Sequence, residues 1–168
     1  MSDKSHKFTT GFSIVELLLA LAITALLLTA VAVAFNASII NYRQNEDIFN
    51  TINNARQALF RITTQLRTAT AVVPNSPAEE CTLITADGQD LTYRYNSADS
   101  KLYLITNDDS TDSDYVLCDN ITAMTFTRST ATEDSVTYVK SVQISITVQS
   151  GSVQKTVAAA AVIRRNLK

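Results

Sequence analysis

From Leu17 to Tyr42 this 168-residue chain carries no charged side chain. A run of that length crosses a bilayer as a helix, because about 20 apolar residues span the hydrocarbon core. One acid, Glu16, stands directly before it. A carboxylate inside a membrane costs roughly 2.5–3.5 kcal/mol on insertion scales, so such a residue needs a partner or a task. Lys4 and Lys7, against Asp3, place the N-terminus on the cytoplasmic side. The C-terminal part is then expected outside the cytoplasm.

No proline precedes Pro74, and Gly11 is the only glycine before Gly88. A helix is therefore predicted to run unbroken from about Phe12 to Ala69, roughly 85 Å at 1.5 Å per residue. Its second half is amphipathic. Ile48, Ile52, Ala55, Leu59, Ile62, Leu66 and Ala69 follow steps of four and three, which sets one apolar stripe along one face. Arg43, Arg56, Arg61 and Arg67 lie off that stripe and read as a solvated face. Val73-Pro74-Asn75-Ser76-Pro77 stops the helix.

From Cys81 the period changes to two. Thr82–Ala86 and Asp90–Asn96 flank Asp87-Gly88, a hairpin signal. Lys101–Thr106, Tyr115–Cys118 and Ile121–Arg128 read as further strands. Ser135–Gln149 is the clearest: Val136, Tyr138, Val142, Ile144, Ile146 and Val148 share one parity, with Lys140 the exception. Ser150-Gly151 turns it into Ser152–Ile163, giving a long final hairpin. The expected fold class is α+β, a long N-terminal helix packed on one antiparallel sheet.

The segment Lys7-Phe8-Thr9-Thr10-Gly11-Phe12-Ser13-Ile14-Val15-Glu16, with the apolar run after it, resembles the N-terminal signature of the type IV pilin family. That family includes the pseudopilins of type II secretion. Its signature is a short basic leader ending in Gly, then Phe, a small polar residue, two apolar residues, Glu and an apolar helix. The resemblance covers about 35 residues and extends to the rest of the chain only in architecture. The ending Arg164-Arg165-Asn166 after an apolar strand is also similar to larger minor pilins and J-type pseudopilins. Many major pilins carry a helix breaker in the membrane half; this chain has none, which favours a minor subunit.

The resemblance implies cleavage between Gly11 and Phe12 by a membrane prepilin peptidase, followed by N-methylation of Phe12. It implies that Glu16 pairs with the N-terminal amine of a neighbouring subunit during assembly. Opposite charges in a low dielectric attract strongly and each alone is costly, so the pair would act as a register device. The implied partners are the prepilin peptidase, other pilin or pseudopilin subunits and inner-membrane lipid. The implied organisation is a leader over 1–11, a membrane and filament-core helix over 12–42, an amphipathic helix half over 43–73, and an extracytoplasmic β domain over 78–168. The protein would start in the inner membrane as a single-pass precursor and move into a pilus or pseudopilus.

A secretory signal peptide and a plain membrane anchor compete with this assignment of the N-terminus. The signal peptide would use Lys4 and Lys7 as its basic region and Ala32-Val33-Ala34 as its cleavage site. An acid at Glu16 does not suit such a segment, and the helical pattern continues past Ala34. The plain anchor would leave Glu16 without a task. The functional alternative is a helix-anchored extracytoplasmic binding module that never enters a filament.

Formal net charge is −2, and the leader's two lysines and one aspartate contribute +1 of it, leaving −3 for a chain cut at Gly11. That balance and the scattered basic residues predict no nucleic-acid binding. The only histidine, His6, lies in the implied leader. A histidine-free mature chain has no Ser-His or Cys-His dyad, so no enzyme activity and no cofactor are expected.

Cys81 and Cys118, the only two cysteines, both fall in the predicted extracytoplasmic domain, where disulfides persist. A bridge between them is expected, closing a loop worth roughly 3–4 kcal/mol in the chain-entropy model; the alternative is two buried free thiols. Asp108, Asp112 and Asp114 alternate with polar residues in an acidic stretch that loosely resembles a calcium loop, without the glycine and closing glutamate of an EF-hand. A solvated loop is the simpler expectation, and no metal is assigned. Tyr93, Tyr95, Tyr103, Tyr115, Phe126 and Tyr138 sit at strand spacing and are expected in packing.

Overall fold

A run free of proline and glycine gives an uninterrupted helix. The structure, a computed structural model, describes residues 11–109 and 114–164. Among them one helix, α1, spans Ile14–Thr68. The architecture is α+β, with this helix packed on antiparallel sheets. The chain separates into two compact units, residues up to Arg43 and residues from Gln44 onward.

In the first unit every described residue is exposed. Leu17, Leu26 and Phe35 are 62%, 73% and 68% accessible, so the apolar run is uncovered all round.

The second unit begins with the amphipathic half of α1. Ala55, Ala58, Leu59, Ile62 and Leu66 are buried, and Ile52 is half-buried against them. The predicted stripe is therefore the packed face. Thr51 and Thr63 also turn inward, and each hydroxyl donates to the carbonyl four residues back, Asp47 and Leu59, at 2.8 Å. That bond satisfies a polar group on a buried face.

α1 ends at Thr68, short of the residue 73 expected for the amphipathic half. The next residues, Thr70 to Val73, are mostly β-branched and are captured by a strand. β1 (Ala71–Val72) pairs with β2 (Glu80–Ile84). The Thr70 N–H donates to the Ile84 carbonyl and the Val73 N–H to the Thr82 carbonyl, both at 2.9 Å.

A five-stranded antiparallel sheet follows in the order β1-β2-β3-β4-β5, with β3 Asp90–Asn96, β4 Lys101–Thr106 and β5 Tyr115–Cys118. The β2–β3 loop holds Asp87-Gly88, with Gly88 at φ +86, a conformation glycine adopts at no steric cost. A second sheet has the order β6-β7-β8, with β6 Ile121–Glu133, β7 Val136–Ser150 and β8 Val153–Val162. The single sheet expected is thus two sheets. The break lies at Asp119-Asn120, where Asn120 takes φ 57. The chain leaves the first sheet there, and the Gln149 N–H donates to the Asn120 carbonyl at 3.0 Å.

The second sheet is built from two long hairpins. Asp134-Ser135 joins β6 to β7 with both φ values positive, 50 and 66, as in a type I′ turn. Lys140 explains itself here. Ser141 faces Ser129 and Val139 faces Thr130, so Lys140 is the extra residue of a bulge. The bulge switches parity: Val139 is buried before it, Val142, Ile144, Ile146 and Val148 after it, while Val136 stays 55% exposed.

One hydrophobic core joins the helix stripe to both sheets, with Leu83, Tyr93 and Leu102 from the first and Ile121, Ile144 and Ile146 from the second. Burying each large side chain contributes about 1.5–3 kcal/mol. Arg128 on β6 fastens the sheets together. Its guanidinium donates to the carbonyls of Ser76 at 2.9 Å, Pro77 at 3.2 Å and Glu80. The loop between β1 and β2 is thereby tied to β6.

Candidate functional site

Gly11 to Ser13 lead into α1, whose first N–H groups have no preceding turn to bond to. Ser13 is the capping residue. Its carbonyl accepts from the Leu17 N–H at 3.1 Å, and its Oγ accepts from the Val15 N–H at 3.4 Å. Glu16 reaches back, and its Oε2 accepts from the Ser13 N–H at 3.0 Å. Ser-x-x-Glu with the glutamate bonding back to the Ser13 N–H is the glutamate arm of a capping box, while the serine arm goes to Val15 instead of to Glu16. The carboxylate also sits at the positive end of the helix dipole, where negative charge is favoured. Sequence reasoning singles out Glu16 as an acid in need of a partner and misses this one. The signal for it is the Ser13/Glu16 spacing.

Gly11 and Phe12 precede the cap. Phe12 is 81% accessible. Gly11 has no positive φ, and a Cβ built on it would meet no described atom within 4 Å. Among the described residues nothing places a steric demand for glycine at that position. The structure brings Gly11, Phe12, Ser13 and Glu16 together in one exposed segment of the first unit. α1 is the one helix among the described residues that is long and apolar enough to cross a membrane.

The two cysteines are not brought together. Cys81 lies on β2 and Cys118 on β5, with β3 and β4 between them. Three strand spacings amount to about 14 Å, whereas a disulfide needs Cα atoms within about 7 Å. Both are buried and free, which corrects the expected bridge. Burial pushes the Cys81 thiol up to about 11, against the opposing pull of the nearby Arg128 guanidinium. Burial, with the charge of Asp119, likewise raises Cys118 to about 11. Neither has the depressed value of a reactive thiol.

The acidic stretch divides. Asp108 is engaged: its Oδ2 accepts from the Asp90 N–H at 2.8 Å, closing the β3–β4 edge. Asp114 is exposed, and Asp112 lies outside the described residues. Among the described residues no three His, Cys, Asp or Glu side chains converge as metal ligands. Of the strand aromatics, Tyr93, Tyr95 and Phe126 are buried. Tyr93 donates to Gln65 of α1, and Tyr95 donates to the Ile121 carbonyl at 3.1 Å. Tyr115 is exposed beneath the Arg61 guanidinium, 5.7 Å from its ring centre. The Tyr93 and Tyr115 contacts hold the helix to the first sheet.

No protein-family model, no curated protein and no solved structure matches this chain.

Proposed function

We propose that this chain is a minor pilin or pseudopilin, a structural subunit of a type IV pilus or a type II secretion pseudopilus. In this reading a prepilin peptidase of the inner membrane cuts between Gly11 and Phe12 and methylates the new Phe12 amine. The precursor spans the inner membrane once, with its β domain outside the cytoplasm. The mature helix then joins a bundle of like helices in the filament, surrounded by other pilin or pseudopilin subunits. No catalytic step is assigned to the chain's own residues.

One observation carries the reading. The helix from Ile14 to Arg43 is apolar on every side and uncovered by any other described residue, and its single acid is the fifth residue after the implied cleavage point. A helix of this kind is stable only in lipid or among other helices.

The capping box favours a second reading, a helix-anchored module outside any filament. There Glu16 has a local task and needs no neighbour. Glutamine distinguishes the two, since it completes a capping box as glutamate does but carries no charge. Filament incorporation is expected to be lost in both Glu16→Ala and Glu16→Gln, with cleavage largely retained. Normal incorporation of Glu16→Gln would sink the charge-pairing role. Mass spectrometry of the protein recovered from membranes tests the processing step. A chain beginning at methylated Phe12 is expected; one beginning at Met1, or near residue 35, overturns it.

A further inference from the structure

β8 is one edge of the second sheet; at the other edge, β6, the Phe126 N–H is already taken by the Ala78 carbonyl at 2.7 Å. The Ser150–Val153 pair closes a two-residue hairpin, and the Ile163 N–H donates back to the Lys140 carbonyl at 3.0 Å. Odd-numbered residues of β8 therefore bond to β7, and the backbone groups of Thr156, Ala158, Ala160 and Val162 point away from it. No described strand pairs with them. Open edges are ordinarily blunted by proline, inward charge, a bulge or a covering element. Lys155 marks the start of β8, but from Thr156 to Val162 there is no proline and no charge, and the β7–β8 register is unshifted.

Two grooves lie end to end along this edge. The first is lined by Val157–Ala159 of β8 and by Arg56, Phe60 and Thr63 of α1. The second is lined by Ala160 and Val162, with Arg67 and Arg164. The space exists because Ala158-Ala159-Ala160-Ala161 is a run of small side chains. Phe60 stands 74% exposed in the first groove, an apolar floor without a cover. Arg56, Arg67 and Arg164 form no ion pair among the described residues, and no acid lines either groove.

We infer that β8 receives an acidic, extended strand of a partner protein, added to the sheet edge by backbone pairing. Free N–H and C=O groups give such a strand its hydrogen bonds, and alternate side chains meet Phe60 and the arginines. Charge decides the occupant. Isologous pairing of β8 with β8 of a second copy would set three arginines against three. β5, with four residues, offers too few backbone groups to satisfy this edge. An acidic strand neutralises the arginines as it covers Phe60. This goes beyond the filament reading and does not depend on it.

The test uses the full chain in nonionic detergent and two labelled ten-residue peptides, one alternating Val with Glu and one alternating Val with Lys. The acidic peptide is expected to bind at least about tenfold tighter, with the difference shrinking at high salt. On binding, amide exchange should slow at Ala158, Ala160 and Val162, with no change at Val157 and Ala159, which already bond to β7. Ala160→Pro removes one outward N–H without touching the β7 ladder and is expected to weaken binding at least about tenfold. Arg56→Gln with Arg67→Gln, on the exposed helix face, should erase most of the charge preference. Equal binding of the two peptides overturns the proposal, as does undiminished binding to Ala160→Pro. Protection of these amides without peptide, rising with protein concentration, would make a second copy the occupant and overturn it too.

Discussion

The two halves of α1 are one continuous helix with opposite needs. From Ile14 to Arg43 the apolar residues surround the axis, and none is covered by other described residues. From Gln44 to Thr68 they form a stripe, and the same chain's sheets cover it, leaving Ile62 and Leu66 at 0% exposure. A stripe can be satisfied by one folded domain. A helix apolar all round can be satisfied only by lipid or by other helices. The difference separates what this chain does for its own stability from what it offers to its surroundings.

The strongest way to break that comparison is to truncate one leucine in each half. Leu66→Ala empties a fully buried site and is expected to cost about 2–5 kcal/mol. Leu18→Ala, at a residue 61% exposed, is expected to change the β domain's stability by less than about 0.5 kcal/mol. Denaturant unfolding of the full chain in detergent, followed by tyrosine fluorescence, reads both. Equal losses would mean that the first half is also packed by its own chain, which removes the basis for an external partner.

The stripe, the Asp87-Gly88 loop and the final hairpin are legible in the sequence because each depends on residues close along the chain. The division into two sheets is not, because it turns on Asn120, one non-glycine residue in a left-handed conformation. The bulge is visible as a blemish: Lys140 sits on the apolar parity, and only the facing strand shows that it is an inserted residue. β6 runs five residues past Arg128 through Ser129-Thr130-Ala131-Thr132-Glu133, a stretch with no apolar alternation, held by pairing with β7. The cysteine bridge fails for a related reason. Compartment and loop length say that two thiols are permitted to join, but strand order decides whether they meet. At the candidate site each residue is legible alone, whereas the capping bond belongs to Ser13 and Glu16 as a pair.

Alkaline pH sharpens the comparison next, because it acts on the second unit's core. Cys81 and Cys118 are held protonated by burial, with values near 11 against about 9 for a free thiol. Tyr93, buried against α1, is raised to about 12 from 10. A raised value means that the folded state holds the proton more tightly. The stability each group lends is complete below its unfolded value and is lost as pH rises through the folded one. The domain should therefore be level in stability from pH 7 to about 8.5 and weaken from about 9 through 11 and beyond, by about 1.4 kcal/mol per pH unit for each thiol that ionises only on unfolding. Cys118→Ala should make the decline shallower, although it lowers the starting stability. At pH 8 neither thiol should react with iodoacetamide until denaturant is added. Rapid native labelling would mean that the buried thiols are reached through an opening of the core.

The smallest effect is expected at the cap of the first half. Ser13→Ala removes the Oγ that accepts from the Val15 N–H at 3.4 Å but leaves Glu16 bonded to the Ser13 N–H. Loss of a capping hydroxyl costs typically about 1 kcal/mol, and the long contact here puts it at the lower end. The cost should stay local: faster amide exchange at Val15, with the β domain's unfolding unchanged. Glu16→Ala takes away the other arm of the same box and the charge as well. If Glu16 serves only the cap, the serine and glutamate variants should impair filament entry to similar small degrees. If its charge pairs with the amine created at Phe12, Ser13→Ala should assemble normally while Glu16→Ala does not. Ser13→Ala, which disturbs the cap and leaves the carboxylate in place, thus separates the capping role of this segment from the charge of Glu16.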